Sequence, residues 1–126
     1  MRSFIIILVV MLLFLGLSWW NTSYLTRTSE ELLSQAEKVR DKVKKEAWED
    51  ASSEVMQIRR LWGKHKKTWL LLIDHEDIDN IDKTIYRIDE MVSQKEKEQS
   101  LTDIAELRFL VQDLADKEVL SLANIF

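Results

Sequence analysis

The first twenty residues differ from the rest of the chain because they contain an unbroken apolar run. Residues Phe4–Trp20 carry no charge, and as a helix they would be about 25 Å long, close to the hydrocarbon thickness of a bilayer. Trp19, Trp20 and Tyr24 mark the end of the run, and such aromatic rings favour the headgroup layer of a membrane. The pattern predicts a transmembrane anchor over residues 1–20 that contacts the lipid bilayer through residues 4–20.

Two other interpretations of this segment stay open. A positive residue before an apolar core is also typical of a secretory signal peptide, and Gly16 and Ser18 are small enough to precede a cleavage site. A core helix of a soluble domain can have a similar composition. Retention as an anchor is favoured because the run is longer than an ordinary signal core. Arg2 and the free amine favour a cytoplasmic N-terminus, which predicts a single-pass plasma-membrane protein with an extracytoplasmic C-terminal domain.

Beyond residue 27, apolar residues recur at steps of three and four, which is the period of one helix face. Thr28 and Glu31 have the spacing of a capping box, so the first soluble helix is expected to begin at Thr28 and residues 21–27 to form a polar linker. The apolar stripe then changes phase at three polar stretches, and each change indicates a turn. Four helices are therefore predicted, at about residues 28–44, 48–73, 76–93 and 101–118.

The second helix has the most regular stripe and the most informative residues. Its predicted buried face includes Trp48, Trp62, His65, Trp69 and Leu72. Imidazole changes charge near neutral pH, so ligand binding or pH sensing is one interpretation of His65. A histidine on an apolar face more often forms a structural hydrogen bond, and that interpretation is preferred.

Each predicted helix has one apolar and one charged face, so each must bury its apolar face against the others. Short turns make neighbouring helices antiparallel. The predicted fold class is all-α, with a single N-terminal transmembrane helix followed by an antiparallel four-helix bundle over residues 28–126. The alternative is a longer, bent coiled coil in which the first two soluble helices run together. The apolar tail, residues 119–126, is expected to pack over the bundle or into a partner.

Composition supports helices and divides the bundle into two halves by charge. The chain has two glycines, no proline and no cysteine, which disfavours a fold rich in tight turns and sheets. Residues 38–67 contain ten Lys/Arg and five Asp/Glu, whereas residues 68–126 contain six and fourteen. The two halves should attract each other, which steers docking more than it stabilises the fold.

Candidate chemistry is sparse. The acidic stretch Asp74, His75, Glu76 and Asp77 could supply oxygen and imidazole ligands to a metal, but it lacks the spacing of a calcium loop or a zinc site. Acidic capping of the third helix explains it better. Basic residues of the second helix are interpreted as a solvated face, and no nucleic-acid partner is expected. With no catalytic motif, the chain is predicted not to be an enzyme and to need no cofactor.

Three groups of residues resemble a known family. They are Trp48, Trp62 and Trp69, the run Leu72–Glu76, and the ending Ser121–Phe126. They are similar to a domain-of-unknown-function family of short, membrane-anchored, all-helical proteins from spore-forming Gram-positive bacteria. The resemblance extends over nearly the whole chain, anchor included. It implies a helical extracytoplasmic domain and, because members are often encoded beside small integral-membrane proteins, a membrane partner.

The function expected from these features is that of a non-enzymatic, membrane-tethered helical domain. It would act as a protein-interaction module or accessory subunit at the cell envelope, with an envelope or integral-membrane protein as its partner. The alternative is an extracytoplasmic sensor in which the bundle binds a small ligand. The resemblance supplies no functional residues that would decide between them.

Overall fold

The computed structural model describes the backbone of residues 1–125 and the side chains of residues 1–117. This part of the chain contains helices and no strands, so the predicted all-helical class is confirmed. Each helix packs against the next, and the last packs against the first, which closes a four-helix bundle. The helices are α1 (Arg2–Lys44), α2 (Trp48–Leu72), α3 (His75–Ser93) and α4 (Lys97–Ile125).

The apolar run and the first bundle helix form one continuous helix, α1, of 43 residues. At 1.5 Å per residue it is about 65 Å long. Residues 21–27, where a linker was expected, are helical, because they contain no glycine or proline to stop a helix that is stable on both sides. Thr28 does not cap a helix start. Its hydroxyl instead donates a 2.9 Å hydrogen bond to the carbonyl of Tyr24, one turn earlier.

The apolar part of α1 lies outside the bundle core. Among the described residues, α1 is the helix long and apolar enough to cross a membrane, and none of its most apolar 18-residue window is buried. A core helix of a soluble domain would bury these side chains. The exposed run therefore does not belong to the core of this bundle, whereas a membrane span and a signal sequence both fit it.

The turn between α1 and α2 and the turn between α3 and α4 have the same backbone geometry. Glu46 and Lys95 adopt positive φ angles of 55° and 59°. At the first turn, the amide of Ala47 donates to the carbonyl of Lys42 at 3.0 Å and that of Glu46 to Val43 at 2.9 Å. These bonds define a Schellman motif, in which glycine is the usual left-handed residue. Each of these turns takes only three residues. In the sequence it is therefore visible as a change in the phase of the apolar stripe between two helices.

The fourth helix begins earlier and ends later than the predicted range of residues 101–118. α4 starts at Lys97, and Ser100 lies buried inside it with its amide bonded to the carbonyl of Glu96 at 3.0 Å. Ser100 and Asp103 have the same three-residue spacing as Thr28 and Glu31, but because Ser100 lies inside the helix they do not form a capping box. The backbone of the expected tail is helical up to Ile125, while the predicted packing of its side chains lies outside the described residues.

The core contains side chains from all four helices and follows the predicted stripes. Among the fully buried residues are Leu32, Val39, Ile58, Trp69, Ile81, Ile88, Ile104 and Leu107. Opposite charges meet where the basic and acidic halves pack together. Arg59 lies 3.1 Å from Asp89, and Lys66 lies 2.7 Å from Asp82. Both pairs join α2 to α3.

Candidate functional site

A polar cluster links α1 to α2 just beyond the apolar run. The hydroxyl of Tyr24 lies 2.7 Å from Nδ1 of His65, which is a short hydrogen bond. On the other side of the ring, Nε2 of His65 lies 3.4 Å from a carboxylate oxygen of Glu31, a weaker contact. His65 is buried and Glu31 is largely exposed. We refer to Tyr24, Glu31 and His65 as the junction cluster, because they lie where the exposed part of α1 meets the bundle.

The tyrosine of the junction cluster also contacts residues of its own helix. Trp20 stacks on Tyr24 with ring centroids 5.6 Å apart. The guanidinium of Arg27 lies 5.8 Å from the centroid of the tyrosine ring, within the range of a cation–π interaction. These side chains share one face of α1, since helical residues three or four apart are neighbours. The ring of Tyr24 thereby connects the aromatic end of the apolar run to a buried residue of α2.

Two tryptophans on the stripe of α2 connect three helices. Nε1 of Trp69 donates a 3.0 Å hydrogen bond to the hydroxyl of Thr28 on α1. Nε1 of Trp62 donates a 2.6 Å hydrogen bond to a carboxylate oxygen of Asp82 on α3. The two rings meet edge to face with centroids 5.5 Å apart. Both indoles are buried with their N–H groups paired, which is the arrangement expected of core tryptophans.

The other residues proposed for the buried face of α2 lie at its ends. Trp48, the first residue of α2, and Leu72, the last, are half-buried and pack against the edge of the core. Helix ends have fewer neighbours than helix centres, so a regular stripe alone overestimates their burial. The structure therefore brings together Trp62, His65 and Trp69, and leaves Trp48 and Leu72 at opposite ends.

The acidic stretch at the start of α3 does not form a metal site in the described part of the chain. Asp74 is the N-cap residue of α3 but makes no side-chain capping bond. His75 and Glu76 are exposed, and Asp77 is half-buried. Within residues 1–117, no group of three or more His, Cys, Asp or Glu side chains is placed to hold a metal ion. Negative charge in the first turn of α3 is favourable because of the helix dipole.

A comparison with models of known protein families finds a match over most of the chain. A family model described as a domain of unknown function, DUF4363, matches residues 19–125. The chain belongs to the DUF4363 family. The matched range begins at Trp19, so the expectation that the resemblance includes the anchor is corrected: residues 1–18 lie outside it. No curated protein and no solved structure matches the chain.

The DUF4363 domain has an open groove beside the turn between α2 and α3. Its volume is about 420 Å³, and it is lined by Leu71, Leu72, Ile73, Asp74, Asp77, Leu114 and Lys117. Lys117 lies 3.0 Å from Asp113, and a hydrogen bond to that carboxylate raises the pKa of Lys117 above its ordinary value of 10.5. The amine of Lys117 therefore keeps its positive charge beside an otherwise apolar and acidic groove.

Sequence reasoning missed two roles in the DUF4363 domain. Tyr24 was expected only at a membrane interface, and no hydrogen bond to a tryptophan was expected of Asp82, one of several acidic residues in the first half of α3. Each is instead the hydrogen-bond partner of a buried residue of α2. A usable signal existed for Tyr24, because Trp20, Tyr24 and Glu31 occupy one helical face when the polar segment is read as helix.

Proposed function

We propose that this DUF4363 protein is a non-enzymatic, membrane-tethered helical domain that binds a protein partner at the cell envelope. In this proposal residues 4–20 span the plasma membrane once, with the N-terminus in the cytoplasm and the bundle outside. The observation that carries the proposal is the continuity of α1, which joins an exposed apolar run to a core helix without a break. The bundle would then be held rigidly at the membrane surface, where an accessory subunit meets its partner.

The tether is supported by the exposure of the apolar run. Large apolar surfaces on a water-soluble protein are unfavourable, and patches of this size mark membrane or protein contacts. The run ends at Trp19 and Trp20, both exposed, at the position where an aromatic belt would meet the headgroups. Arg2 at the other end favours the cytoplasmic side.

A binding role, in preference to an enzymatic one, is supported by the hydrogen bonds that the polar side chains of the core make between helices. The buried or half-buried polar groups of Tyr24, His65 and Trp69 bond to other helices, and the acceptor of Trp62, Asp82, also pairs with Lys66. Groups committed to helix-to-helix bonds are not free to act on a substrate. The chain also ends in the apolar sequence of residues 119–126, which a partner could cover.

Chemical crosslinking in the native membrane tests the proposal. The full-length protein is compared with a variant lacking residues 120–126 and with a matched variant in which the same residues are replaced by serine and asparagine. Both variants should lose a crosslinked partner that the wild-type protein retains. Identical crosslinked partners for all three proteins would contradict a partner-binding role for the tail.

A second candidate function is sensing, and the junction cluster favours it. Tyr24 and His65 couple the membrane-proximal part of α1 to α2, beside a groove of about 470 Å³ that includes Arg27, Glu30 and Glu31. A small ligand in that groove would raise the unfolding free energy by RT ln(1 + [L]/Kd), or about 2.7 kcal/mol at a hundredfold excess over Kd. Thermal melts with divalent cations and small anions over a range of pH would detect it. Constant melting temperatures would eliminate this candidate for the ligands tried.

A further inference from the structure

A short apolar segment leads from the end of α2 into the turn before α3, and in it Leu71 is exposed whereas Leu70, Leu72 and Ile73 are half-buried against the core. We define the apolar turn as residues 70–73, which read Leu-Leu-Leu-Ile. Leu71 has 85% of its surface exposed, the highest value for a large apolar residue between the apolar run of α1 and residue 117, where the described side chains end. Turns between helices are usually polar, since they face water. An almost fully exposed leucine beside this turn is therefore available for contact with an apolar environment.

Contacts between α1 and α2 limit the height of the apolar turn relative to the end of the apolar run. Trp69 bonds to Thr28, and α2 then continues to Leu72 in the direction of Trp20. Along α1, Thr28 is about 12 Å from Trp20, and the step from Trp69 to Leu72 is about 5 Å. By this contact Leu71, one residue before Leu72, lies about 9 Å from the level of Trp20 on the bundle side, whereas the bond between Tyr24 and His65 places it about 3 Å from that level on the side of the apolar run. The headgroup layer of a bilayer is about 5–8 Å thick, so these heights include it.

The last helix reaches the same level. Arg108 of α4 lies 2.7 Å from Glu37 of α1, and the two helices are antiparallel. Seventeen residues lead from Glu37 back to Trp20 and from Arg108 on to Ile125. The backbone of α4 therefore ends level with Trp20. The end of the bundle that contains the apolar turn is thus the end that faces the membrane.

We propose that the apolar turn inserts Leu71 into the headgroup layer of the bilayer that α1 spans, so that the bundle rests on lipid. The inference depends on the membrane anchoring proposed above. Lipid is the occupant because a continuous α1 limits the height of the turn to a range around Trp20 that includes the headgroup layer, without any partner being present. Exposed leucines at this depth bury their apolar surface at the boundary with the acyl chains.

Single-cysteine labelling tests the inference on the full chain, which has no native cysteine. An environment-sensitive fluorophore is attached to Leu71→Cys, Leu12→Cys or Tyr86→Cys, and each protein is reconstituted into phosphatidylcholine vesicles. The vesicles contain a shallow lipid-borne quencher for the labels at Leu71 and Tyr86, and a quencher near the bilayer centre for the label at Leu12. Tyr86 is the matched control because it is also exposed, at 66%. It lies about 16 Å along α3 from His75, the first residue of that helix, and therefore farther from the membrane than the apolar turn. The label at Leu71 should be quenched with a blue-shifted emission, and the label at Tyr86 should not.

The three labels separate the inference from the anchoring on which it rests. Quenching at Leu12 without quenching at Leu71 overturns the inference and leaves the anchor intact. No quenching at Leu12 overturns both. A label at Leu71 that is shielded only in native membranes, and not in the vesicles, indicates a protein in place of lipid and also overturns it.

A second variant guards against an effect of the label itself. With the fluorophore at His75→Cys, beside the apolar turn, Leu71→Asp should cause a loss of quenching, because a carboxylate resists insertion. Leu71 makes little contact with the core, so the helical circular dichroism of this variant should match that of its parent. Unchanged quenching in a folded Leu71→Asp variant would overturn the inference.

Discussion

Nε1 of Trp69 donates a 3.0 Å hydrogen bond to the hydroxyl of Thr28, a residue 41 positions earlier in the chain. Thr28 in turn donates to the carbonyl of Tyr24. A threonine hydroxyl offers one donor and two acceptor lone pairs, so both bonds are satisfied together. This pair fixes the rotation of α1 against α2 about two helical turns beyond the end of the exposed apolar run, and it accounts for a polar residue on the buried face of α1.

Thr28→Val should destabilise the bundle by about 1–3 kcal/mol, because the N–H of Trp69 would be buried without an acceptor. Urea unfolding of the domain measures the loss. Thr102→Val is the matched control, since Thr102 also bonds to the carbonyl four residues earlier but is exposed and accepts no indole. It should change stability by less than about 0.5 kcal/mol. Equal losses in the two variants would assign no role to the indole bond.

Trp62→Ala should cost about 3–5 kcal/mol, which is enough to unfold a small bundle. Trp62 is only 4% exposed, meets Trp69 edge to face and bonds to Asp82. Tyr86→Ala removes an exposed ring from the neighbouring helix and should have little effect in the same denaturation experiment. A Trp62→Ala variant that is as stable as the wild type but fails to bind its partner would mark the stripe as a recognition surface.

Lys95→Gly should raise the unfolding free energy by about 0.5–1 kcal/mol. Lys95 has a φ angle of 59° in the turn before α4, a conformation that is unfavourable for residues with a Cβ and free for glycine. Lys95→Ala removes the same charge and keeps the Cβ, so it separates the backbone effect from electrostatics. If alanine stabilised the protein as much as glycine, the gain would not come from the left-handed backbone.

Arg87→Met should destabilise the domain by about 1–3 kcal/mol, because it removes the cation beside a buried carboxylate. Arg87 lies 3.8 Å from Asp103, whose side chain is 3% exposed, and 2.6 Å from Glu106. Asp50→Ala breaks a 4.0 Å pair with Lys42 in which the aspartate is well exposed, and should alter stability by about 0.5 kcal/mol or less. The difference between the two variants in urea unfolding reports the effect of burial.

The stripes on α2, α3 and α4 could be read from the sequence because the phase of an apolar stripe depends only on local spacing. The prediction that a polar linker at residues 21–27 precedes the first bundle helix was wrong for a physical reason. Thr28 and Glu31 have the spacing of a capping box, but a polar segment without glycine or proline continues a helix equally well. In the structure Thr28 is a buried core residue that accepts a hydrogen bond from Trp69, which its local spacing does not show.

The junction cluster could not be predicted in the same way. Tyr24 and His65 are 41 residues apart, and nothing in the local pattern of either helix specifies the other. Their pairing depends on the register between α1 and α2, which is set by the turn at residues 45–47 and by packing along the whole interface. Membership in the DUF4363 family likewise gives the extent of the domain and not its contacts.

Leu8→Lys combined with Leu12→Lys should release the full-length protein from membranes during alkaline carbonate extraction, whereas the wild type should stay in the pellet. Each lysine near the centre of a span opposes insertion by about 2.5–3.5 kcal/mol. Leu8→Ala with Leu12→Ala shortens the same side chains without adding charge and should remain in the pellet. Because these positions lie outside the bundle core, the helical content of the released variant should equal that of the wild type. Release of the wild-type protein itself would contradict the anchor and, with it, the placement of the bundle at a lipid surface.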